Sequence, residues 1–165
     1  MAGRTGTPPP FAPMGKRMWQ SDIRVVSAAE QQPKIERQPE HALMVVSYPV
    51  LGNCTSVPFK VMEDVRGEDA PWHWNLLFDM QPFEGHEMFA EWESFARDWY
   101  DLAGDRDEGR RVAVVSGDPL IAARFATHSY QDLFPTRQVR LFDRLDDAMA
   151  WASAEPVPVR RRVSQ

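Results

Sequence analysis

Residues 76–95, LLFDMQPFEGHEMFAEWESF, combine a short apolar run, a loop and the first half of an amphipathic helix. The apolar run belongs to residues 74–80, and its length is typical of a buried strand. The helix is indicated by apolar residues that recur at steps of four and three, with acidic residues off that face. Those apolar residues are Met88, Trp92, Phe95, Trp99 and Leu102. A buried strand followed by a helix is the repeating unit of an α/β fold.

Strand and helix alternate four times along the chain. Strands are predicted at residues 43–50, 74–80, 111–116 and 138–142, and a helix is predicted after each of them. Because crossovers between parallel strands are right-handed, this order predicts helices packed against a sheet that contains parallel pairs. Two aspartates are expected to cap helices, Asp118 the third and Asp143 the last. The side chains expected to face the core include Phe59, Met62 and Val65 in the first helix and Leu120, Ile121 and Phe125 in the third.

The two ends of the chain differ from its middle in proline content and charge. Residues 1–40 hold six of the 14 prolines, and both they and residues 155–165 are slightly basic, whereas residues 41–154 carry ten basic and 19 acidic groups. We therefore predict one domain at residues 41–154, between a Pro-rich, largely disordered segment and a disordered basic tail. Residues 30–40 are expected to form a polar linker, and residues 19–28 are a candidate edge strand.

Composition excludes several classes of protein. The chain has 165 residues, 43% of them hydrophobic, with no apolar run long enough to span a membrane and no secretory signal at its start. A single cysteine, Cys54, excludes an internal disulfide framework, so a cytoplasmic protein is expected. The arginines of the tail attract nucleic acid only weakly and the acidic middle opposes them, so no specific nucleic-acid binding is expected.

The residues offer little for metal or cofactor chemistry. The four histidines show no pair at the spacing that lets two imidazoles share a helix face, so we expect neither a metal nor a cofactor. Cys54 precedes a helix but has no evident base, which favours a structural thiol. Strand-to-helix turns are the usual ligand sites of such sheets. The turn Ser116, Gly117 and Asp118 is therefore a candidate anion site, although it lacks the glycines of a phosphate loop.

The aromatic loop after the second predicted strand is the other candidate site. The aromatic residues Trp72, Phe83 and Phe89 do not all fit inward-facing positions, which predicts an exposed apolar patch for a protein partner or an acyl chain. The candidate binding residues are Asp79, Phe83, Glu84, Gly85, His86 and Phe89.

Residues 42–153 resemble the SpoIIAA-like branch of the STAS domains. In that branch a strand ends in Asp and is followed by a Phe-x-Gly loop, a Trp-containing helix, an Ala-Val-Val strand, a Phe-Asp strand end and an Ala-x-x-Trp helix. The matching residues here are Asp79, Phe83, Gly85, Trp92, Ala113, Val114, Val115, Phe142, Asp143, Ala148 and Trp151.

The resemblance implies a mixed sheet of four to five strands, with helices packed mainly on one side, and a non-enzymatic regulatory or binding role. STAS phospho-switches resemble Asp-Ser-Ser-Gly at the loop after a central strand, but residues 79–88 contain no Ser or Thr. We therefore expect a module without the serine switch that binds a protein partner or a small apolar ligand, and a homodimer is left open. The alternative is a small enzyme or metabolite-binding protein that uses the Ser116 turn.

Overall fold

Five strands form one mixed sheet in chain order in the computed structural model, which describes residues 32–50, 56–83, 89–127 and 130–155. The first strand pairs antiparallel with the second, and the following pairs are all parallel. The strands are β1 (Lys34–Gln38), β2 (Leu43–Ser47), β3 (Asn75–Asp79), β4 (Arg111–Val115) and β5 (Gln138–Phe142). The prediction of an α/β fold with a mixed sheet is confirmed.

Helices cover the two faces of the sheet unequally. Because β2 to β5 follow one another in a single direction, right-handed crossovers place every connecting helix on the same face. Only the helix after β5 is free of this constraint, and it packs on the opposite face. The helices are α1 (Ser56–Val65), α2 (Phe89–Ala103), α3 (Pro119–Thr127), the single turn α4 (Tyr130–Leu133) and α5 (Leu145–Ser153). Helices mainly on one side are therefore observed, as predicted.

The central strands β3 and β4 are buried throughout because both of their faces are covered. Phe78 of β3 meets Trp92 and Phe95 of α2 edge to face, with ring centroids 4.7 and 5.7 Å apart. Each such pair adds about 0.5–1.5 kcal/mol to the burial of the rings. On the other face the small side chain of Ala113 lies in the cluster that contains Ala148 and Ala152 of α5. The periodicity that predicts α2 from the sequence thus marks the side chains that fill the larger core.

Strand β1 corrects the expected domain boundary. Residues 34–38 were expected to belong to a polar linker, and that prediction is wrong for them, because they pair along their whole length with β2. Their polarity reflects an edge strand: Ile35 packs against the core, while Arg37 binds Asp64 and Glu68 of the α1 region at 2.6 and 2.5 Å. The candidate edge strand at residues 19–28 lies outside the described residues.

The two predicted helix caps have different outcomes. Asp118 caps α3 as expected, since its carboxylate accepts a hydrogen bond from the amide of Leu120 at 2.8 Å. The prediction for Asp143 is wrong, because Arg144 occupies the N-cap position of α5 and no side chain caps that helix. Asp143 stands one residue too early to reach the free amides of the first turn.

A buried ion pair joins the elements at the edge where the parallel strands begin. The guanidinium of Arg137 contacts the carboxylate of Asp107 at 2.5 Å and donates to the carbonyl of Trp74 at 3.0 Å. The indole of Trp99 donates to the same Asp107 oxygen at 3.0 Å. These contacts connect α2, the turn that follows it and the segments that precede β3 and β5.

Candidate functional site

The carboxyl ends of the parallel strands and the first turns of the helices that follow them meet at one edge of the sheet. We call this the carboxyl edge. It comprises the ends of β2, β3, β4 and β5 and the starts of α1, α2, α3 and α5. Open α/β sheets usually bind their ligands at this edge, because loops and free helix amides converge there. The described parts of both candidate sites of the sequence analysis, residues 79–83 and 116–118, lie on it.

The loop after β3 begins with a turn that Asp79 stabilises. The carboxylate of Asp79 is buried and accepts a hydrogen bond from the amide of Gln81 at 3.1 Å. The amide of Phe83 then donates to the carbonyl of Met80 at 3.1 Å, which closes the turn. Asp79 therefore shapes the loop, and its side chain is not displayed to a ligand.

Contacts on both sides hold this turn in place. On one side the amide of Tyr48 donates to the carbonyl of Asp79 at 2.9 Å, and the ring of Phe83 meets that of Tyr48 edge to face at 5.7 Å. On the other side the amide group of Gln81 reaches the carbonyl of Asp143, beyond β5, at 3.1 Å. The turn is thus fixed across the ends of several strands. Phe83 is half-buried against the core rather than fully exposed.

The other loop residues singled out from the sequence are not placed. Glu84, Gly85 and His86 lie outside the described residues, as does Cys54. Phe89 is the first residue of α2, but its side chain is not among those that the structure describes. Of the loop candidates, the structure brings Asp79 and Phe83 together in one turn.

Internal hydrogen bonds occupy the Ser116 turn. The hydroxyl of Ser116, itself buried, accepts from the amide of Asp118 at 3.1 Å, and Asp118 accepts from the amide of Leu120. A Cβ placed on Gly117 would meet nothing within 4 Å, so no close backbone approach requires glycine there. The carboxylate of Asp118 also places a negative charge where an anion would bind. These observations count against the anion-binding alternative.

Exposed apolar side chains concentrate at the carboxyl edge. Val50 follows β2, Phe59 lies in the first turn of α1 and Leu120 in the first turn of α3, with exposed fractions of 41%, 55% and 61%. We call these three residues the carboxyl-edge patch. The fourth large apolar side chain exposed in the described ranges, Tyr100, lies near the far end of α2.

The carboxyl-edge patch was missed from the sequence, since Phe59 and Leu120 were expected to face inward. That expectation is wrong. The buried face of α1 is formed by Val57, Val61 and Val65, at steps of four. Phe59 stands two residues from Val57, about 200° around the helix, so it must point away from that face. Counting the helical angle from Val57 could have revealed this.

The charged groups at this edge are mostly acidic. Asp118, Asp143, Asp146 and Asp147 lie at the starts of α3 and α5, and the basic side chains among the described residues there are Lys60 and Arg144. Lys60 binds Glu63 at 2.9 Å, and that hydrogen bond raises the pKa of Lys60 and lowers the pKa of Glu63.

The chain was compared with protein families, curated proteins and solved structures. The family model described as SpoIIAA-like matches residues 54–153, which is more than half of the chain. The chain belongs to the SpoIIAA-like family. No curated protein and no solved structure gives a significant match. The resemblance inferred from the sequence is thus confirmed at the level of the family.

Membership in the SpoIIAA-like family indicates a STAS-type regulatory module, and STAS domains commonly interact with proteins. Across residues 32–50, 56–83, 89–127 and 130–155, no three His, Cys, Asp or Glu side chains are close enough to hold a metal ion. Within the same ranges no helix has both the length and the apolar character needed to cross a bilayer.

Proposed function

We propose that this SpoIIAA-like chain is a non-enzymatic regulatory module that binds a protein partner through its carboxyl edge. The observation that supports this is the carboxyl-edge patch: three of the four large apolar side chains exposed in the described residues lie at one edge. Exposed apolar groups that gather on one surface are typical of protein interfaces. The described part of the aromatic loop, residues 81–83, lies at the same edge, and its turn would support the partner from below.

The exposure of the patch favours a protein over a small apolar ligand. Ligand pockets bury most of the surface of the molecule that they hold, and the side chains that line them are correspondingly enclosed. The side chains of Val50, Phe59 and Leu120 instead keep two fifths or more of their surface accessible. Such side chains become buried when a second macromolecular surface covers them.

We also propose that the module is controlled without phosphorylation of a serine in the loop after β3. The support comes from the sequence, since residues 79–88 contain no Ser or Thr, and the first such residue after β3 is Ser94. Ser94 lies in the second turn of α2 rather than in the loop. Control would then come from the availability of the partner itself.

Site-specific photo-cross-linking tests the proposed function. A photoreactive phenylalanine analogue is introduced at Phe59, at Leu120 or at Tyr100 of the full chain in its host, and the adducts are identified by mass spectrometry. We expect the same protein adduct from positions 59 and 120 and none from position 100. The purified partner should bind the Phe59→Ser variant about tenfold more weakly than the unsubstituted protein, as expected for an apolar residue near the centre of an interface.

The Tyr100→Ser variant is the matched control, because it removes an aromatic side chain of similar exposure at the opposite end of α2. It should leave the affinity for the partner unchanged. An adduct that forms equally well at position 100, or adducts only with lipid, would contradict the proposed function. All variants should unfold at nearly the same temperature, because the substituted side chains are exposed.

A further inference from the structure

We propose that Arg111 and Arg140, together with Trp151, form a binding site for a phosphate monoester. The site lies on the face of the sheet that α5 covers, and it contains no residue of the carboxyl-edge patch. The inference therefore goes beyond the proposed function, and its failure would leave that function untouched.

The two arginines converge on the ring of Trp151. Side chains alternate along a strand, so Arg111 shares one face of β4 with Ala113, which lies in the cluster that packs against α5. Arg140 of β5 is the register partner of Ala113 and points to the same face. The guanidinium carbons of Arg111 and Arg140 lie 5.2 and 5.3 Å from the centre of the Trp151 ring. The two positive charges are therefore neighbours.

Neither charge is balanced by a carboxylate within the described residues, where every ion pair involves other side chains. Arg111 is only 5% exposed, and its guanidinium donates to the carbonyls of Trp151, Ala154 and Glu155, the last two at 3.0 and 2.9 Å. Its Nε is buried and has no hydrogen-bond partner in the described structure. Burial lowers the pKa of Arg111, and the charge of Arg140 lowers it further. The ten residues that follow Glu155 in the sequence include no Asp or Glu.

A comparison with Arg137, the other buried arginine of the described chain, shows what Arg111 lacks. The guanidinium of Arg137 contacts the carboxylate of Asp107, whereas that of Arg111 contacts carbonyls. Two neighbouring positive charges, one of them buried without a counter-ion, cost free energy that an anion from outside would offset. A phosphate monoester carries about 1.5–2 negative charges at neutral pH and three acceptor oxygens, so it can bridge two guanidinium groups.

A ligand can reach this pair at β5. Arg140 is exposed, Trp151 is half-buried, and β5 pairs on one side only within the described chain. Arg140 is thus placed to contact the ligand directly, while Arg111, held by the carbonyls at the end of α5, supplies a fixed positive charge. The chain as a whole has a net charge of −5, which repels a long polyanion more than a small dianion.

Calorimetric titration of the full chain with phenyl phosphate tests the inference. Phenyl sulfate is the matched comparison ligand, because it has nearly the same shape but a single negative charge. We expect phenyl phosphate to bind at least about tenfold more tightly than phenyl sulfate, and more weakly as salt is raised. Its affinity should also rise as the pH is raised from about 5 to about 7, because the second proton of the phosphate group leaves near pH 6 while the arginines stay protonated.

Two variants locate the binding. Arg140→Gln should weaken binding of phenyl phosphate about tenfold or more, since a charge-assisted hydrogen bond is lost, and should leave the unfolding temperature nearly unchanged because Arg140 is exposed. Arg111→Met should also weaken binding. It removes hydrogen bonds that hold the end of α5 as well, so its unfolding temperature is measured in parallel, and Arg140→Gln remains decisive if this variant does not fold.

Two control variants should bind phenyl phosphate as the unsubstituted protein does. Arg97→Gln removes an exposed arginine of α2, which packs on the other face of the sheet. The triple variant Arg160→Gln, Arg161→Gln, Arg162→Gln removes the arginines of the tail.

Failure to bind phenyl phosphate at millimolar concentration, equal binding of phenyl sulfate, or an unchanged affinity in Arg140→Gln would overturn the inference. Loss of binding in the tail variant but not in Arg140→Gln would also overturn it. A phosphoserine peptide and ribose 5-phosphate then identify the source of the phosphate group. Tighter binding of the peptide assigns it to a protein and tighter binding of the sugar phosphate to a metabolite, and both results support the site. The cross-linking at positions 59 and 120 is independent of all these outcomes.

Discussion

The guanidinium of Arg137 is fully buried, and its environment is made by residues far from it in the sequence. It contacts Asp107 and lies 4.6 Å from the centre of the Trp99 ring. Burial lowers the pKa of Arg137 to about 10, while the charge of Asp107 acts in the opposite direction, so the side chain remains protonated at neutral pH. The second oxygen of Asp107, Oδ1, is buried without a hydrogen-bond partner in the described structure. The buried negative charge of Asp107 is therefore compensated by the contacts of its other oxygen with Arg137 and Trp99.

Replacing Arg137 by methionine should lower the free energy of unfolding by about 3–5 kcal/mol, because Asp107 would remain as a buried charge without its counter-ion. Urea denaturation followed by tryptophan fluorescence measures this loss. The double variant Arg137→Met, Asp107→Leu should regain most of it, since an apolar pair of similar volume needs no compensation. If the Arg137→Met variant lost less than about 1 kcal/mol of its free energy of unfolding, the ion pair would contribute little to stability.

At the scale of the elements, β1 shows how an edge strand can resemble a linker. Four of its five residues are polar, because only one face of an edge strand meets the core, and Ile35 meets it here. Arg37 also forms ion pairs with Asp64, near the end of α1, and with Glu68, three residues after that helix. The boundary expected at residue 41 would remove this strand, whereas a boundary before Pro33 would keep it. The disorder expected of the segments before residue 32 and after residue 155 stays a prediction.

Two shortened chains test this boundary. A chain of residues 33–155 should unfold cooperatively with nearly the stability of the full protein. A chain of residues 41–155 should be clearly less stable and more prone to aggregate, because the loss of β1 exposes the backbone groups of β2, which is apolar over most of its length. Thermal unfolding and light scattering measure both effects. Equal stability of the two chains would indicate that β1 contributes little to the fold.

At the scale of the whole molecule, stability is expected to fall from the centre of the sheet towards its sides. All residues of β3 and β4 are buried, and each of these strands lies between two others. The residues of β1 and β5 are half-buried or exposed, and each strand pairs on one side only within the described chain. The carboxyl edge includes the ends of β3 and β4, so its centre rests on the most deeply buried strands.

Hydrogen exchange should follow this order. The amides of β3 and β4 should exchange only on global unfolding, and those of β1 should exchange well before them through local opening. Exchange monitored by mass spectrometry on the full chain measures the difference. Peptides from α1 should exchange at intermediate rates, because its apolar face packs on the core while its other face is open to water. Protection of β1 equal to that of β3 would contradict this order.

Much of the candidate site could be located from the sequence, but the contacts that its side chains make could not be predicted. The positions of Asp79, Phe83 and Asp118 at strand-to-helix turns follow from local patterns, and the structure places all three at the carboxyl edge. What the side chains do there depends on their neighbours. Asp79 turns inward to hold an amide, Phe83 packs against Tyr48, and the amides of the Ser116 turn are used internally.

The amino-acid sequence alone was enough to predict the order of the strands β2 to β5 and of the helices α1, α2, α3 and α5, together with the family of the fold, whereas the single turn α4 was not predicted. Apolar periodicity and turn residues act over a few positions, so they can be interpreted without knowing what lies opposite. The place of β1, the Arg137–Asp107 pair and the exposure of Leu120 became known only from the three-dimensional structure. Each of these depends on groups that are distant along the chain, and burial is a property of the packed molecule rather than of any segment.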